Sequence, residues 1–426
     1  MTTDIQAAPP PILSPDYIPP IYRLTNEDVL QRIFEICITE QVDIRNMEQN
    51  PPARHLFAPW NLSYVCTHWR KVVLSTPVLW SRIFVFARPW KGRLPAMETQ
   101  LARSGACDLH VFFGPVYANN DIKPRDPKLA NLLLPTTSRW VELHIQSIGW
   151  LLSLERASFK NLRSLCLRPS DVRGAPRHLK IDAPNLCALE YYGFAKIWID
   201  LPWNCIRFCT LQGAGWKYIN SLKAVEELEL FTPPLGAHSD TANIVAPFTL
   251  PFLHTLTHWD LYHTHVSQLM LTPALTTLRI CDPHTFCNVG SVTQLFIRIN
   301  SNIEEYKYLL QQTPSATTLF IEERFNQDDL VDFWDALALV DGWEVLPALE
   351  ELRISARASQ PLSDQAVLQA IRSRYGVLKR VVVCVDQRFG DIRSVSPSSY
   401  PSLRDVCNAG GIEFSTRYKY EVEMFD

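Results

Sequence analysis

Apolar residues follow two rhythms along this chain, and the first is helical. Val29, Leu30, Ile33, Phe34, Cys37 and Ile38 fall at steps that place all six on one stripe of an α-helix. Thr25 or Asn26 can cap that helix, and Asp28, three residues after Thr25, completes a start like a capping box. A second helical stretch carries Leu62, Val65, Cys66, Trp69 and Val73 on a single face, and Pro77 ends it. Between the two stretches, Gln41 to Pro59 is polar and contains Asn50-Pro51-Pro52, which breaks any helix and predicts a loop insertion. After Pro77, Leu79-Trp80-Ser81-Arg82-Ile83 alternates large apolar with polar residues. Two short amphipathic helices make too small a core to stand alone, so they need a partner or the rest of the chain.

Beyond Phe86 the rhythm changes to a recurring phrase: a leucine, two residues, a leucine, one residue, and another apolar residue. It occurs at Leu162-Leu165-Leu167, Leu186-Leu189-Tyr191, Val225-Leu228-Leu230, Leu275-Leu278-Ile280 and Leu349-Leu352-Ile354, with weaker copies at Val141-Leu143-Ile145 and Leu319-Ile321. Central leucines 143, 165, 189 and 211 are 22, 24 and 22 residues apart, and 256 to 278 is again 22, within the range of leucine-rich repeats. Residues two apart on a strand share a face and bury together, so the phrase predicts short strands stacked into a parallel sheet. The expected fold is α/β: N-terminal helices followed by an irregular leucine-rich-repeat-like solenoid. Leu167 is followed by Arg168-Pro169 and Leu230 by Phe231-Thr232, so the asparagine common after such strands is missing and the repeat is degenerate. An ordinary α/β domain with several leucine-rich strands is the alternative. A connecting helix is visible from Asp364 to Arg374, with Ala366, Val367, Ala370 and Ile371 on one side.

In such a solenoid the residue between the two buried ones faces the concave side. That row comprises His144, Cys166, Glu190, Glu229, Thr257, Arg279 and Arg353. Of these, His144, Glu190, Glu229, Arg279 and Arg353 are candidate contacts for a protein target, on a surface expected to be solvated.

Composition narrows the picture. At 426 residues the chain exceeds one ordinary core, and it divides into a Pro-rich leader over 1–19, a helical module over 20–85 and the repeat region over 90–426. With 47% apolar and 20% charged residues it is a folding sequence. A net charge of -3 gives no footprint for nucleic acid or an anionic membrane. The eleven cysteines are scattered singly, as in Leu165-Cys166-Leu167, and read as reduced core residues. No stretch has the length of a membrane span and the start lacks a signal-peptide pattern, so the expected compartment is cytosol or nucleus. His254, His258, His263 and His265 form a histidine cluster, but 254 and 258 read as strand, where such a pair is too far apart for one metal ion. Gly213-Ala214-Gly215 is a fragment of a dinucleotide fingerprint without its third glycine. No hydrolase, zincin or nucleotide-binding signature occurs; no cofactor or metal is expected, and the chain reads as a non-enzyme.

The residues of the helical module carry a family resemblance. Leu24-Thr25-Asn26-Glu27-Asp28-Val29-Leu30, Ile33-Phe34, then Leu62, Val65-Cys66-Thr67-His68-Trp69-Arg70, Val73 and Ser75-Thr76-Pro77-Val78-Leu79-Trp80 resemble the F-box, in the form found in mushroom-type fungal families. Many members have leucine-proline where this chain has Leu24-Thr25. The resemblance implies binding to a Skp-type adaptor, and through it to a cullin and a ubiquitin-conjugating enzyme. The residues it assigns to that contact are Leu24, Val29, Leu30, Ile33, Phe34, Ile38, Leu62, Val65, Cys66, Trp69, Val73, Pro77, Leu79 and Trp80. Part of each stripe must also hold the module together, with Trp69 or Trp80 as internal anchors. The chain would then be the substrate-recognition subunit of a ubiquitin ligase. The rivals are a repeat scaffold with a helical cap acting outside a ligase, and an enzyme whose motif is not visible.

Overall fold

The computed structural model describes residues 26–40, 58–85, 93–114, 127–146, 150, 152, 154, 157–168, 177–193, 197–231, 247–259, 269–281, 289–299, 303–323, 333–338, 345–357, 365–386 and 400–418. The leader, Leu24, Thr25 and most of the interval after Gln41 lie outside them. The chain forms two compact units that divide between Pro115 and Val116.

The first unit begins with helix α1 (Glu27–Glu40), capped by Asn26, whose Oδ1 accepts from the N–H groups of Asp28 at 2.9 Å and Val29 at 3.3 Å. The second helical stretch is two helices, α2 (Ala58–Val65) and α3 (Thr67–Ser75), not one. Cys66 breaks them with an extended backbone, φ -157° and ψ 171°, and its Sγ caps α3 by accepting from the Trp69 N–H at 3.4 Å. Pro59, expected in the loop, lies in the first turn of α2, where a missing N–H leaves nothing unpaired. A 3-10 turn (Pro77–Trp80) leads into β1 (Arg82–Val85), then α4 (Arg93–Arg103) and β2 (Leu109–Phe113), which pairs parallel with β1.

The core of this unit is Leu30, Phe34, Ile38, Trp69, Val72, Val73, Leu79 and Trp80. Phe34 meets Trp69 edge-on at 4.8 Å, and the Trp80 indole donates to the Val73 carbonyl at 2.8 Å. Compactness does not stop at residue 85. The Gln100 side chain donates to the Arg82 carbonyl at 2.7 Å, and the Arg103 guanidinium lies 4.4 Å from the Trp80 ring and 4.9 Å from Trp60. The helices too small to stand alone recruit α4 and the β1–β2 pair.

The second unit is mixed α/β around a long parallel sheet. Its strands are β3 (Trp140–Ile145), β4 (Ser164–Leu167), β5 (Arg177–Lys180), β6 (Ala188–Gly193), β7 (Ile197–Asp200), β8 (Phe208–Gly213), β9 (Glu227–Phe231), β10 (Phe248–Thr249), β11 (Thr255–His258), β12 (Met270–Leu271), β13 (Thr277–Ile280), β14 (Gln294–Ile299), β15 (Thr318–Glu323), β16 (Glu351–Arg357), β17 (Arg380–Asp386) and β18 (Glu413–Tyr418). From β3 the main sheet runs β3-β4-β6-β8-β9-β11-β13-β14-β15-β16-β17-β18, so neighbours in the sheet follow one another in sequence. The pairs β5–β7 and β10–β12 form two small parallel sheets of their own. Helices α5 (Pro127–Leu133), α6 (Ile303–Gln312), α7 (Gln365–Arg372) and α8 (Pro401–Ala409) lie between strands in sequence. The expected helix from Asp364 to Arg374 is α7, with Ala366, Val367, Ala370 and Ile371 buried.

Register aligns the leucines. Leu143, Leu165, Leu189, Cys209, Leu228, Leu256, Leu278, Leu295, Leu319, Leu352 and Val381 form one continuous row of buried residues. A second buried row runs two residues later, through Ile145, Leu167, Tyr191, Leu211, Leu230, His258 and Ile280. Leu211 therefore belongs beside Tyr191, not Leu189. The small apolar Cys209 takes the place filled elsewhere by leucine, which shifts the true register by two. Trp140, not Val141, is the buried residue three before Leu143.

One hydrogen-bond motif starts the main-sheet strands from β6 to β17. A single carbonyl accepts from two successive N–H groups of the next strand: Arg163 from Cys187 and Ala188, Cys187 from Arg207 and Phe208, Arg207 from Glu226 and Glu227, Glu226 from His254 and Thr255, and so on to Glu350 from Lys379 and Arg380. Before the strand the chain makes a tight turn, as in Leu186 N–H to Ala183 and Leu275 N–H to Thr272. Asn161 and Asn185 stitch these turns by donating to the carbonyls of Ser138 and Lys160, each at 2.7 Å.

Near the end of the chain Arg374 is buried and spends its guanidinium on carbonyls. It donates to Leu337 at 3.0 and 3.1 Å, to Leu346 at 2.8 Å and to Val345 at 2.5 Å. Leu346 is held at φ 50°, a left-handed conformation costly for a branched residue. Burial lowers the Arg374 pKa to about 10, and it stays charged at neutral pH. Leu278→Ala should cost ~2–5 kcal/mol, since it empties a fully buried position. Arg374→Ala strips a donor from the carbonyls of Leu337, Val345 and Leu346, of which Leu346 keeps its bond from the Leu349 N–H, and should cost on the order of 3 kcal/mol. Urea unfolding of the purified chain measures both, and Arg374→Lys should fall between Ala and wild type.

Candidate functional site

The candidate adaptor contacts divide sharply by burial. On α1, Leu30, Phe34 and Ile38 point inward, while Val29 and Ile36 are each 42% exposed and Ile33 is half-buried between them. Positions 29, 33 and 36 form one line on the outer side of the helix. Trp69, Val73, Leu79 and Trp80 are interior as well. Leu30, Phe34, Ile38, Trp69, Val73, Leu79 and Trp80 therefore build the unit's own core and hold its surface in place from behind. Three short helices need half of each stripe for themselves. Leu62 and Cys66 are half-buried, Val65 and Pro77 are exposed, and Leu24 lies outside the described residues.

Sequence reading missed Ile36, Tyr64, Leu74 and Val78, all exposed on this unit. Ile36 was legible as the residue three after Ile33 and seven after Val29. Glu27 at the start of α1 pairs with Lys71 of α3 at 2.8 Å, and that hydrogen bond holds the Glu27 carboxyl below its ordinary value and raises Lys71.

On the second unit the interesting surface is the sheet face opposite the leucine rows. Register sets His144, Cys166, Glu190, Thr210, Glu229, Thr257, Arg279, Phe296, Phe320, Arg353, Val382 and Ser415 side by side in one row. This row is not the freely solvated surface expected from sequence. His144, Cys166, Thr257, Phe320 and Val382 are buried, and Phe320 and Val382 cluster with Cys384 and Phe296. His144 lies 2.6 Å from the Glu142 carboxylate, Thr210 donates to Glu229 at 3.1 Å, and Arg353 pairs with Glu351 at 3.0 Å. Arg279 lies 4.9 Å from the Phe296 ring. Burial lowers the Arg279 pKa, with Glu227 and Glu229 working against that shift.

A second row on this face was missed altogether. It is drawn from the residues directly after the phrases, and Arg168, Tyr192, Phe231, Trp259, Arg298 and Glu322 are its charged and aromatic members. Arg168 lies 4.1 Å from the Tyr192 ring and donates to Glu190 at 3.1 Å. Tyr192 and Phe231 are 6.2 Å apart, and Phe231 stacks on Trp259 at 5.8 Å with planes 8° apart. The Trp259 indole donates to Glu229 at 2.8 Å, while Arg298 covers the ring at 4.5 Å and bonds the buried Glu322 at 2.7 Å. The result is a stacked run of rings closed by a guanidinium at either end. Burial opposes the Arg168 cation, and Cys166, Tyr192 and Glu190 outweigh it. Burial pushes the Cys166 thiol well above its ordinary range, so it is no nucleophile at neutral pH.

Among the described residues no group of three metal-ligating side chains comes together. His254 lies 3.8 Å from Glu226, His258 is buried on the core side of β11, and His263 and His265 lie outside the described residues. Gly213 turns out of β8 at φ 63°, and a Cβ on Gly215 would meet the Tyr191 ring at 2.8 Å, so both glycines serve packing. No helix among the described residues is long and apolar enough to cross a membrane. Two surface features stand out among the described residues: the outer apolar line of α1 and the charged and aromatic face of the sheet. No protein-family model matches the chain, and no curated protein matches it.

A double-mutant cycle on Trp259→Ala and Arg298→Ala should give a coupling of roughly 0.5–2 kcal/mol, the range of a shielded cation–ring contact. Burial also raises the Tyr192 hydroxyl from 10.0 to about 12. The unfolded chain releases that proton first, so the stability tied to it is complete below pH 10 and is lost as pH rises through 12. Alkaline unfolding of wild type beside Tyr192→Phe should show the variant losing less over that window.

Proposed function

We propose that this chain is the substrate-recognition subunit of a cullin-type ubiquitin ligase. The observation that carries the reading is the outer line of α1. Val29 and Ile36, with half-buried Ile33 between them at the edge of the core, present apolar surface on a helix whose other side, Leu30, Phe34 and Ile38, is already committed to that core. An apolar line on a helix that is already fixed in place suits docking against a partner helix. With the F-box resemblance that Val29 and Ile33 help to carry, the partner is a Skp-type adaptor, and through it a cullin.

The second unit supplies the other half of the reading, as an irregular leucine-rich-repeat-like solenoid. Its face of paired charges and stacked rings holds a protein target. Ubiquitin transfer then needs nothing chemical from this chain: it holds target lysines near the charged conjugating enzyme and raises their effective concentration. Such a ligase works in cytosol or nucleus.

The test is capture of a purified Skp-type adaptor by the full chain. Wild type should retain the adaptor. Ile36→Asp and Ile33→Asp should lose at least about tenfold in affinity, because docking would bury an unpaired carboxylate, while circular dichroism stays at wild type. Leu30→Asp should instead unfold the module. Absence of wild-type capture, or full capture by folded Ile36→Asp, refutes the reading.

A further inference from the structure

The main sheet ends at β18. Among the described residues this strand pairs only with β17. The Glu413 N–H donates to the Lys379 carbonyl at 2.9 Å, and in a parallel ladder each residue sends its N–H and C=O to the same neighbour, alternating along the strand. Ser415 and Arg417 therefore bond toward β17 with Glu413. Phe414 and Thr416 aim their N–H and C=O groups at the free edge.

The side chains on that edge are equally open. Phe414 and Thr416 continue the rows of Val381 and Val383, which are fully buried, yet both are only half-buried. The strand Glu-Phe-Ser-Thr-Arg-Tyr contains no proline, glycine or inward charge, the devices that block edge-to-edge addition.

The charges select what can add. The Glu413 side chain, 3.4 Å from Arg380 of β17, is still 64% exposed, and Arg417 is exposed, on the same face and two residues either side of Ser415. A reversed copy of the strand centred on Ser415 brings Glu413 opposite Arg417 of the partner subunit, twice over. It also sets Phe414 opposite the partner subunit's Thr416, and both residues have their backbone groups aimed across the edge, which makes a hydrogen-bonded pair of each. Ser415, whose hydroxyl has no hydrogen-bond partner among the described residues, sits on the dyad opposite its own copy. Centring on Phe414 or Thr416 loses both ion pairs, and parallel addition in register sets Glu413 against Glu413, like against like.

We propose that two copies of the chain join edge to edge through β18, antiparallel, with the two-fold axis at Ser415. The contact is isologous and closes on itself, giving a dimer and no longer polymer. It does not depend on the ligase reading, and adaptor capture should be the same with or without it.

Sedimentation velocity of the full chain over a concentration series tests this. Wild type should run at about twice the chain mass, and Glu413→Arg and Arg417→Glu should each run at about the single mass through like-charge contact across the dyad. The combined reversal Glu413→Arg/Arg417→Glu should return to the dimer. Thr416→Pro, which removes a donor that the β17 ladder does not use, should be monomeric with an unchanged circular dichroism spectrum. A monomeric wild type, dimeric single reversals, or a combined reversal that stays monomeric overturns the proposal.

Discussion

The second unit depends on one carbonyl doing the work of two. At the start of each main-sheet strand from β6 to β17 a single oxygen receives two successive N–H groups, from Arg163 through to Glu350. This fork sets where each strand begins relative to the last. Once the start is fixed, alternation along the strand determines which side chains meet. The leucine rows on one face, and the charged and aromatic rows on the other, are both consequences of that register.

The same logic of division governs the first unit, through helices instead of strands. A stripe of six apolar residues on α1 cannot all face a core made by three short helices. Leu30, Phe34 and Ile38 go in and Val29 and Ile36 stay out. Cys66 makes the division possible on the other side, because its extended backbone lets α2 and α3 take different directions while its sulfur keeps the α3 end capped. Interior and outward-facing apolar residues thus share one stretch of sequence, and the interior residues fix the geometry of the surface ones.

Much of this was legible in the residues. The leucine phrase marked β4, β6, β9, β13 and β16, and the polar residue inside each phrase did align into one row. Cys209 hid a register because a small sulfur residue can stand where leucine is expected. The aromatic row escaped because Arg168, Tyr192, Phe231 and Trp259 share no residue type, only a position after the phrase. Their partnership appears when strands far apart in sequence lie side by side. The split of the α1 stripe was also hidden, since periodicity says which residues share a face but not how wide a core awaits them.

Pinning each strand at its start has a consequence for the chain between strands. Spacing along the leucine row is short from Leu278 to Leu295 and long from Leu319 to Leu352, yet both steps end in the same forked bond and the same register. Loop-closure entropy grows only with the logarithm of length, about 0.6 kcal/mol per doubling. Insertions between strands are therefore cheap, and they leave the sheet face unaltered. The intervals between strands are where such a chain can accept new sequence, while its sheet face stays as the forks define it.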